Sequence, residues 1–174
     1  GRDGLANLRE RLRSRGLKLV LDYVPNHVAV DHPWVTQQPH YMIRGTKKMY
    51  KDAPDVFFKT TTDDGQEFIT AHGRDPYFPS WIDTAQVNAF SKSYRKQVRE
   101  TLRDIASQCD GIRCDMAMLM MNDVFNNTWG EYLSQTAPKV EFWEDIIPHV
   151  KAQYPDCLFI AEVYWDMEYT LLQQ

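Results

Sequence analysis

The chain has 174 residues, of which 43% are hydrophobic and 13% aromatic, with 20 lysines and arginines against 24 aspartates and glutamates. This composition is that of one ordinary globular domain and excludes a disordered tail. A formal net charge of −4 argues against nucleic acid as a partner, because a phosphate backbone requires a clustered basic surface. No apolar run approaches the ~20 residues that cross a bilayer, so no membrane partner is predicted.

The cysteines indicate the redox compartment of the protein, and the two ends of the chain indicate whether it is a fragment. Cys109, Cys114 and Cys157 are too few and too unevenly spaced for a disulfide framework or for paired metal knuckles. Free thiols in a reducing compartment are expected, which slightly favours the cytoplasm. Because Gly1 opens within a helical pattern and Gln174 follows no helix stop signal, we also expect a fragment of a longer protein.

The first predicted unit is an amphipathic helix followed by a buried strand. Leucines at positions 5, 8 and 12 share one helical face, and Gly16 is typical of a helix C-terminus. Residues 17–24 are short, apolar and rich in branched side chains, and Pro25-Asn26 ends them. This composition favours a strand that is buried in a parallel sheet.

The same helix-and-strand unit recurs twice. A helix beginning after Ser91 leads into a strand over 109–115, and a helix over 142–154 leads into a strand over 157–163. Pro148 is expected to kink or break the last of these helices. The order α-β-α-β-α-β is typical of a parallel sheet covered by helices.

The connection over 28–90 is far longer than an ordinary loop between a strand and a helix. It contains two short apolar runs around Asp64-Gly65, which indicates a β-hairpin. We predict a small irregular subdomain, inserted at the C-terminal end of the first strand.

Carboxylates end the last two predicted strands, at Asp115 and Glu162. Neighbouring parallel strands lie ~4.8 Å apart, which brings equivalent carboxylates to roughly 5 Å, the separation that retaining glycoside hydrolysis requires. Arg113 shares a face with Asp115 and is expected to keep it ionised, whereas the apolar residues 163–165 are expected to raise the pKa of Glu162. The alternative is a buried structural pair, Arg113 with Asp115, and a strand-end Glu162 that faces water.

Three polar residues, Asp22, Asn26 and His27, lie at the end of the first strand. Asn26 with a backbone carbonyl is a candidate calcium ligand, although an asparagine there is also typical of a turn. His27 is a candidate donor to a sugar hydroxyl or an ordinary turn histidine. The spacing of His27 from the next two histidines, at positions 32 and 40, does not favour zinc.

Residues 22–27 (Asp-Tyr-Val-Pro-Asn-His), 111–115 (Gly-Ile-Arg-Cys-Asp) and 161–163 (Ala-Glu-Val) resemble the third, fourth and fifth barrel-strand motifs of the alpha-amylase family, glycoside hydrolase family 13. Residues 81–88 (Trp-Ile-Asp-Thr-Ala-Gln-Val-Asn) resemble the motif near the end of that family's inserted B domain. The order of the motifs around the long insertion carries the resemblance, which covers nearly the whole chain.

The resemblance implies an α/β fold: residues 1–174 would be an incomplete (β/α)8 TIM barrel with a B-domain-like insertion at 28–90. It implies Asp115 as the nucleophile and Glu162 as the general acid/base of a retaining hydrolase. Arg113 would position Asp115, His27 would bind the sugar at the scissile bond, and Asp22 would support the site. The implied substrates are alpha-linked glucans or oligosaccharides, with no required cofactor and calcium possible at Asn26.

The sequence also departs from the family pattern. Met118 and Leu119 stand where classical alpha-amylases often carry a lysine and a histidine that contact glucan. Ala161 replaces a usual glycine, and Val87 stands where the insertion's terminal motif often has an aspartate. The transition-state-stabilising aspartate and the remaining strands are expected beyond the chain, so the isolated 174 residues are expected to be inactive.

Two other functions stay open. One is an alpha-glucosyl transferase of the same family, in which a sugar hydroxyl intercepts the intermediate instead of water. The other is a non-catalytic relative that acts as a binding subunit. The presence of both carboxylates together with Arg113 argues against this function. A nucleotide-binding α/β domain is disfavoured, because no glycine-rich phosphate loop follows any strand. The sequence does not indicate an oligomeric state.

Overall fold

The computed structural model describes residues 1–173. The helices are α1 (Arg2–Arg13), α2 (Trp34–Gln37), α3 (Lys47–Asp52), α4 (Lys92–Gln108), α5 (Asn122–Trp129), α6 (Phe142–Lys151) and α7 (Glu168–Leu172). The strands are β1 (Val20–Tyr23), β2 (His27–Ala29), β3 (Phe57–Thr61), β4 (Glu67–Ala71), β5 (Thr84–Gln86), β6 (Gly111–Cys114) and β7 (Leu158–Ala161). Short 3-10 turns lie at Pro39–Tyr41, Ala117–Met120 and Gly130–Tyr132. Within residues 1–173, no helix is both long and apolar enough to cross a membrane.

The central sheet contains three parallel strands in the order β1-β6-β7. Tyr23 pairs with Cys114, which in turn pairs with Ala161. The ladder continues one residue further, because the amide of Asp115 donates to the carbonyl of Tyr23 and the amide of Glu162 donates to that of Cys114. The predicted parallel sheet is confirmed, and its register places Asp115 beside Glu162.

The two faces of this sheet have different surroundings. Ile112 and Cys114 point to the helices and are buried in the main core, whereas Val20, Leu158 and Ile160 point the other way and are exposed. We call this second side the open face. Because side chains alternate along a strand, the carboxylates and the arginine at the strand ends project from the open face as well. In a closed barrel this face points to the interior.

Helix α1 is attached to the sheet by polar contacts more than by packing, since none of its residues is buried. Arg9 donates to the carboxylate of Asp110 at 2.7 and 3.1 Å and to the carbonyl of Ser107 at 3.1 Å. The same carboxylate accepts the amide of Leu19 at 2.8 Å. One aspartate therefore joins α1 to the starts of β1 and β6.

The long connection after β1 contains two antiparallel pairs. Strands β2 and β5 join its two ends, with His27 paired to Gln86, and β3 and β4 form a hairpin. The predicted turn at Asp64-Gly65 is confirmed, with Gly65 at a φ of 82° that side chains rarely adopt. The boundaries of a separate subdomain at 28–90 remain a prediction.

Pro148 does not break α6, so the alternative of a break was wrong. The helix runs from Phe142 to Lys151 with Pro148 inside it. Its first turn is capped by Glu141, and its buried side packs against α4. The tryptophan of this helix, Trp143, donates its indole N–H to the carbonyl of Ala117 at 2.9 Å, which holds α6 against the segment that follows β6.

Candidate active site

One guanidinium connects three carboxylates, each contributed by a different strand. Arg113 donates from one terminal nitrogen to Asp22 at 2.9 Å and to Asp115 at 2.8 Å. Its other terminal nitrogen lies 2.7 Å from Glu162. The side chains of Arg113, Asp115 and Glu162 keep 33%, 22% and 23% of their exposure. The alternative of a buried Arg113–Asp115 pair with a separate Glu162 therefore does not describe this cluster.

Glu162 is held by hydrogen bonds at both oxygens. Oε2 accepts the backbone amide of Met116 at 2.9 Å, and Oε1 accepts the hydroxyl of Tyr164 at 2.8 Å. Met116 reaches Glu162 because it adopts a left-handed conformation, with φ at 39°, directly after Asp115. The chain after β6 thus bends towards the end of β7 and fixes the Glu162 carboxylate beside Asp115.

The surroundings of the two carboxylates shift their pKa values in opposite directions. Burial raises the pKa of Asp115, and the nearby negative charge of Glu162 adds to this, so that the hydrogen bond from Arg113 does not compensate. Burial also raises the pKa of Glu162, but the donors Met116 and Tyr164 and the charge of Arg113 outweigh it and leave that pKa lowered. The expectation of an apolar surrounding for Glu162 was wrong because Tyr164 turns its hydroxyl, and not its ring face, to the carboxylate.

His27 lies on β2 beside this cluster. Its ring packs edge-on against Trp81 with 5.2 Å between centroids, and its buried Nδ1 has no hydrogen-bond partner among residues 1–173. Burial lowers the pKa of the imidazole, although the charges of Asp115 and Asp83 oppose this shift. A neutral imidazole can either donate or accept a hydrogen bond, so His27 is suited to a neutral polyol.

Asn26 is the one predicted site residue that the structure keeps apart from the cluster. It is buried and forms a reciprocal amide pair with Gln86, whose Nε2 donates to the Oδ1 and the carbonyl of Asn26 at 2.9 Å each. The same nitrogen lies 3.1 Å from the carbonyl of Val87. Three oxygens thus converge on the amide nitrogen of Gln86, and calcium at Asn26 stays a prediction.

The part of the chain that the structure describes contains no set of side chains that could bind zinc. No group of three or more histidine, cysteine, aspartate or glutamate side chains there is arranged to hold a metal ion. His32 instead uses Nδ1 to accept the amide of Trp34 at 3.2 Å.

Met118 and Leu119, which stand where classical family members contact glucan, are buried in the 3-10 turn after β6. They belong to the core between that turn and the helices, so they offer no contact to a ligand on the open face. Gln86 and the hydroxyl of Tyr164 were not predicted as site residues. A signal existed only for Tyr164, which lies two residues after Glu162 and can therefore share its side of the chain.

A family model described as alpha amylase, catalytic domain, matches residues 1–173. Alpha-amylase 3 of Dictyoglomus thermophilum is 24% identical over 176 residues, which cover 96% of this chain and 30% of that protein. Probable oligo-1,6-glucosidase 2 of Bacillus subtilis is 23% identical over 151 residues, which cover 80% of this chain and 26% of that protein.

Solved structures agree on the fold. The alpha-amylase from H. orenii superposes with a TM-score of 0.61 at 18% identity, covering 97% of this chain and 33% of that one. The alpha-amylase from Lactobacillus plantarum superposes with a TM-score of 0.55 at 22% identity, over 97% and 30% of the two chains. The chain thus spans about 30% of the length of these relatives. Since the family model covers nearly the whole chain, the protein belongs to the alpha-amylase family, glycoside hydrolase family 13, and forms part of that family's catalytic barrel.

Proposed function

We propose that this chain carries the nucleophile and the general acid/base of a retaining glycoside hydrolase that acts on alpha-linked glucans or oligosaccharides. The observation that supports this most strongly is the pair Asp115 and Glu162, at the ends of neighbouring parallel strands and joined by Arg113. A retaining mechanism needs carboxylates roughly 5 Å apart, and the pairing of both carboxylates with one guanidinium at the ends of neighbouring parallel strands supports such a separation.

In the proposed first step, the Asp115 carboxylate attacks the anomeric carbon and the bond to the leaving oxygen breaks. For this step Glu162 must carry a proton, although its hydrogen-bond donors lower its pKa in the free site. It gives that proton to the leaving oxygen, so the leaving sugar departs neutral and a covalent glycosyl-enzyme remains. In the second step, Glu162 takes a proton from water, which attacks the same carbon and releases Asp115. Two inversions give net retention, and no metal or organic cofactor is required by these steps.

The residues around the carboxylate pair support the transfer of a proton to and from Glu162. Arg113 stabilises the negative charge on the pair, and Asp22 holds Arg113 from β1. The Tyr164 hydroxyl donates to ionised Glu162, and it can accept from the same oxygen once Glu162 carries the proton. We propose that His27 binds a hydroxyl of the sugar beside Asp115.

The same intermediate also serves an alpha-glucosyl transferase, in which an acceptor sugar hydroxyl replaces water in the second step. The ratio of the two products depends on how well water is excluded. A binding subunit without catalysis is the less supported function, because Asp115, Glu162 and Arg113 are all present and mutually bonded.

The test uses the longer protein that we propose contains this chain, assayed for reducing sugar released from maltooligosaccharides. Asp115→Asn and Glu162→Gln are each expected to lower kcat/KM by roughly 1,000-fold or more, because each removes a group that acts in the transition state. The matched controls Asp123→Asn and Glu100→Gln, at exposed helix positions, are expected to retain activity.

Near wild-type turnover in either site variant would overturn the assignment. A protein limited to residues 1–174 is expected to release no sugar. Among residues 1–173, one face of the sheet at the site is open, and the outer edges of β1 and β7 have no strand partner.

A further inference from the structure

Two of the three free cysteines lie beside each other at the end of the central sheet where its strands begin. Cys109 lies two residues before β6 and Cys157 directly before β7, and the two are only 1% and 5% exposed. The amide of Leu158 donates to the carbonyl of Asp110 at 3.0 Å, which places Cys157 opposite Asp110 in the parallel register. Cys109 and Cys157 are therefore diagonal neighbours on adjacent strands.

The spacing and the direction of the two side chains suit a disulfide. Diagonal neighbours on parallel strands have Cα atoms roughly 6 Å apart, and disulfides form between Cα atoms about 4.4–6.8 Å apart. The Sγ of Cys109 donates to the carbonyl of Ile105 in α4 at 3.2 Å, so this thiol faces the helices. Cys157 faces them as well, because it precedes Leu158, which points to the open face, and side chains alternate along a strand.

A small oxidant has a route to both sulfur atoms. The two thiols line one cavity of about 240 Å³, together with Ala106 of α4 and the turn over 153–156. Gln153, Pro155 and Asp156 of that turn are exposed. The cavity therefore lies at the surface, where a solute of the size of water can approach the sulfur atoms.

The protonation state of the two thiols determines how fast they react. Burial raises the pKa of both, that of Cys157 to about 11, and each thiol also affects the pKa of the other. Since the thiolate is the nucleophile, both cysteines are expected to react slowly at neutral pH. Oxidation at this position is therefore a slow modification and not a step of each catalytic cycle.

We propose that Cys109 and Cys157 are an oxidative modification site, at which a peroxide forms a reversible disulfide between the starts of β6 and β7. One thiolate first attacks an oxygen of hydrogen peroxide, so that the O–O bond breaks and a sulfenic acid and hydroxide result. The second thiol then attacks the sulfenic sulfur, an S–S bond forms and water leaves. Overall, the two sulfurs lose two electrons and two protons, which convert hydrogen peroxide to two molecules of water.

This inference goes beyond the proposed function, since the carboxylates lie at the opposite ends of the same strands, roughly 15 Å away. The test maps disulfides in the longer protein after exposure to hydrogen peroxide. Free thiols are alkylated in denaturant, the protein is digested without reduction, and the peptides are identified by mass spectrometry. We expect a linked pair of peptides that carries Cys109 and Cys157 and that a reducing agent separates.

Cys157→Ser and Cys109→Ser are each expected to abolish this linked pair. The cysteine that remains is expected to stop at the sulfenic acid, which dimedone traps. The matched control is Cys114, a thiol that is buried on β6 outside this cavity and is expected to be recovered in its alkylated form.

Recovery of Cys109 and Cys157 as free thiols, or their separate oxidation to sulfinic acids, would overturn the proposal. A disulfide from either residue to Cys114 would overturn it as well. Mapping of the wild-type protein decides between these outcomes even if a serine variant fails to fold. The map is obtained without an enzyme assay, so its result is independent of the proposed hydrolase activity.

Discussion

Arg113 is the side chain on which the geometry of the site depends, since it contacts Asp22, Asp115 and Glu162 at once. A lysine offers a single ammonium and cannot reproduce two terminal nitrogens in a fixed plane. Arg113→Lys is therefore expected to lower kcat/KM by roughly 100-fold.

The same substitution is expected to move the acidic limb of the pH–rate profile to higher pH. The hydrogen bond and the charge of Arg113 lower the pKa of Asp115, so weakening them raises that pKa further, and a higher pH is then needed to ionise the nucleophile. Measuring kcat/KM over a series of pH values locates this acidic limb. The matched control is Arg99→Lys, because Arg99 on α4 pairs with Asp145 on α6, away from the site. An acidic limb that stays in place would contradict the account of Arg113.

Side chains on one strand were easier to predict than contacts between segments. The period of two placed Arg113 with Asp115, and the parallel register placed Glu162 beside them, as the structure shows. The predicted rise in the pKa of Glu162 was wrong, because the donors Met116 and Tyr164 lower that pKa. The contact of Met116 with Glu162 arises from a left-handed turn after β6 that no pattern in the sequence indicates, whereas Tyr164 contacts Glu162 from two residues further along the chain.

At the scale of whole elements, Asp110 joins α1, β1 and β6 through Arg9 and the amide of Leu19. Asp110→Ala leaves that amide and the guanidinium without their partner. We expect a loss of roughly 1–3 kcal/mol in the free energy of unfolding at pH 7, measured by urea denaturation. Asp55→Ala, at an exposed position, is the matched control.

This loss is expected to shrink in acid. The hydrogen bond from Arg9 lowers the pKa of Asp110 in the folded protein below its value in the unfolded chain. Its stabilisation is therefore present above the unfolded pKa and is lost as the pH falls through the folded one. A difference between wild type and Asp110→Ala that stays constant into strong acid would contradict this role.

The elements themselves were largely predictable, whereas their ends and some cross-contacts were not. Apolar runs and helical periodicity located the three helix-and-strand units, but β1 begins at Val20 and not at residue 17, because the ladder starts where Gly111 of β6 provides a partner. The buried pair of Asn26 with Gln86 joins residues 60 positions apart, so only the pairing of β2 with β5 reveals it.

For the whole molecule, the motif order predicted a barrel segment with strands three to five, and the sheet order β1-β6-β7 agrees with it. The chain spans about 30% of its relatives, and the open face bears both the catalytic candidates and exposed apolar residues such as Val20 and Ile160. In the longer protein, we expect further strands to cover the apolar part of this face and to leave the strand ends accessible to substrate.

The most direct test of the account is to identify the residue that becomes covalently attached to the sugar. The longer protein is treated with 5-fluoro-α-glucosyl fluoride, from which the Asp115 carboxylate displaces fluoride to leave a slowly hydrolysed fluoroglucosyl ester. Peptide mass spectrometry is expected to find the added fluoroglucosyl group on Asp115 alone, with Glu162 unmodified. A label on another residue, or continued hydrolysis with inverted configuration and no label, would contradict the assignment of Asp115 as the nucleophile.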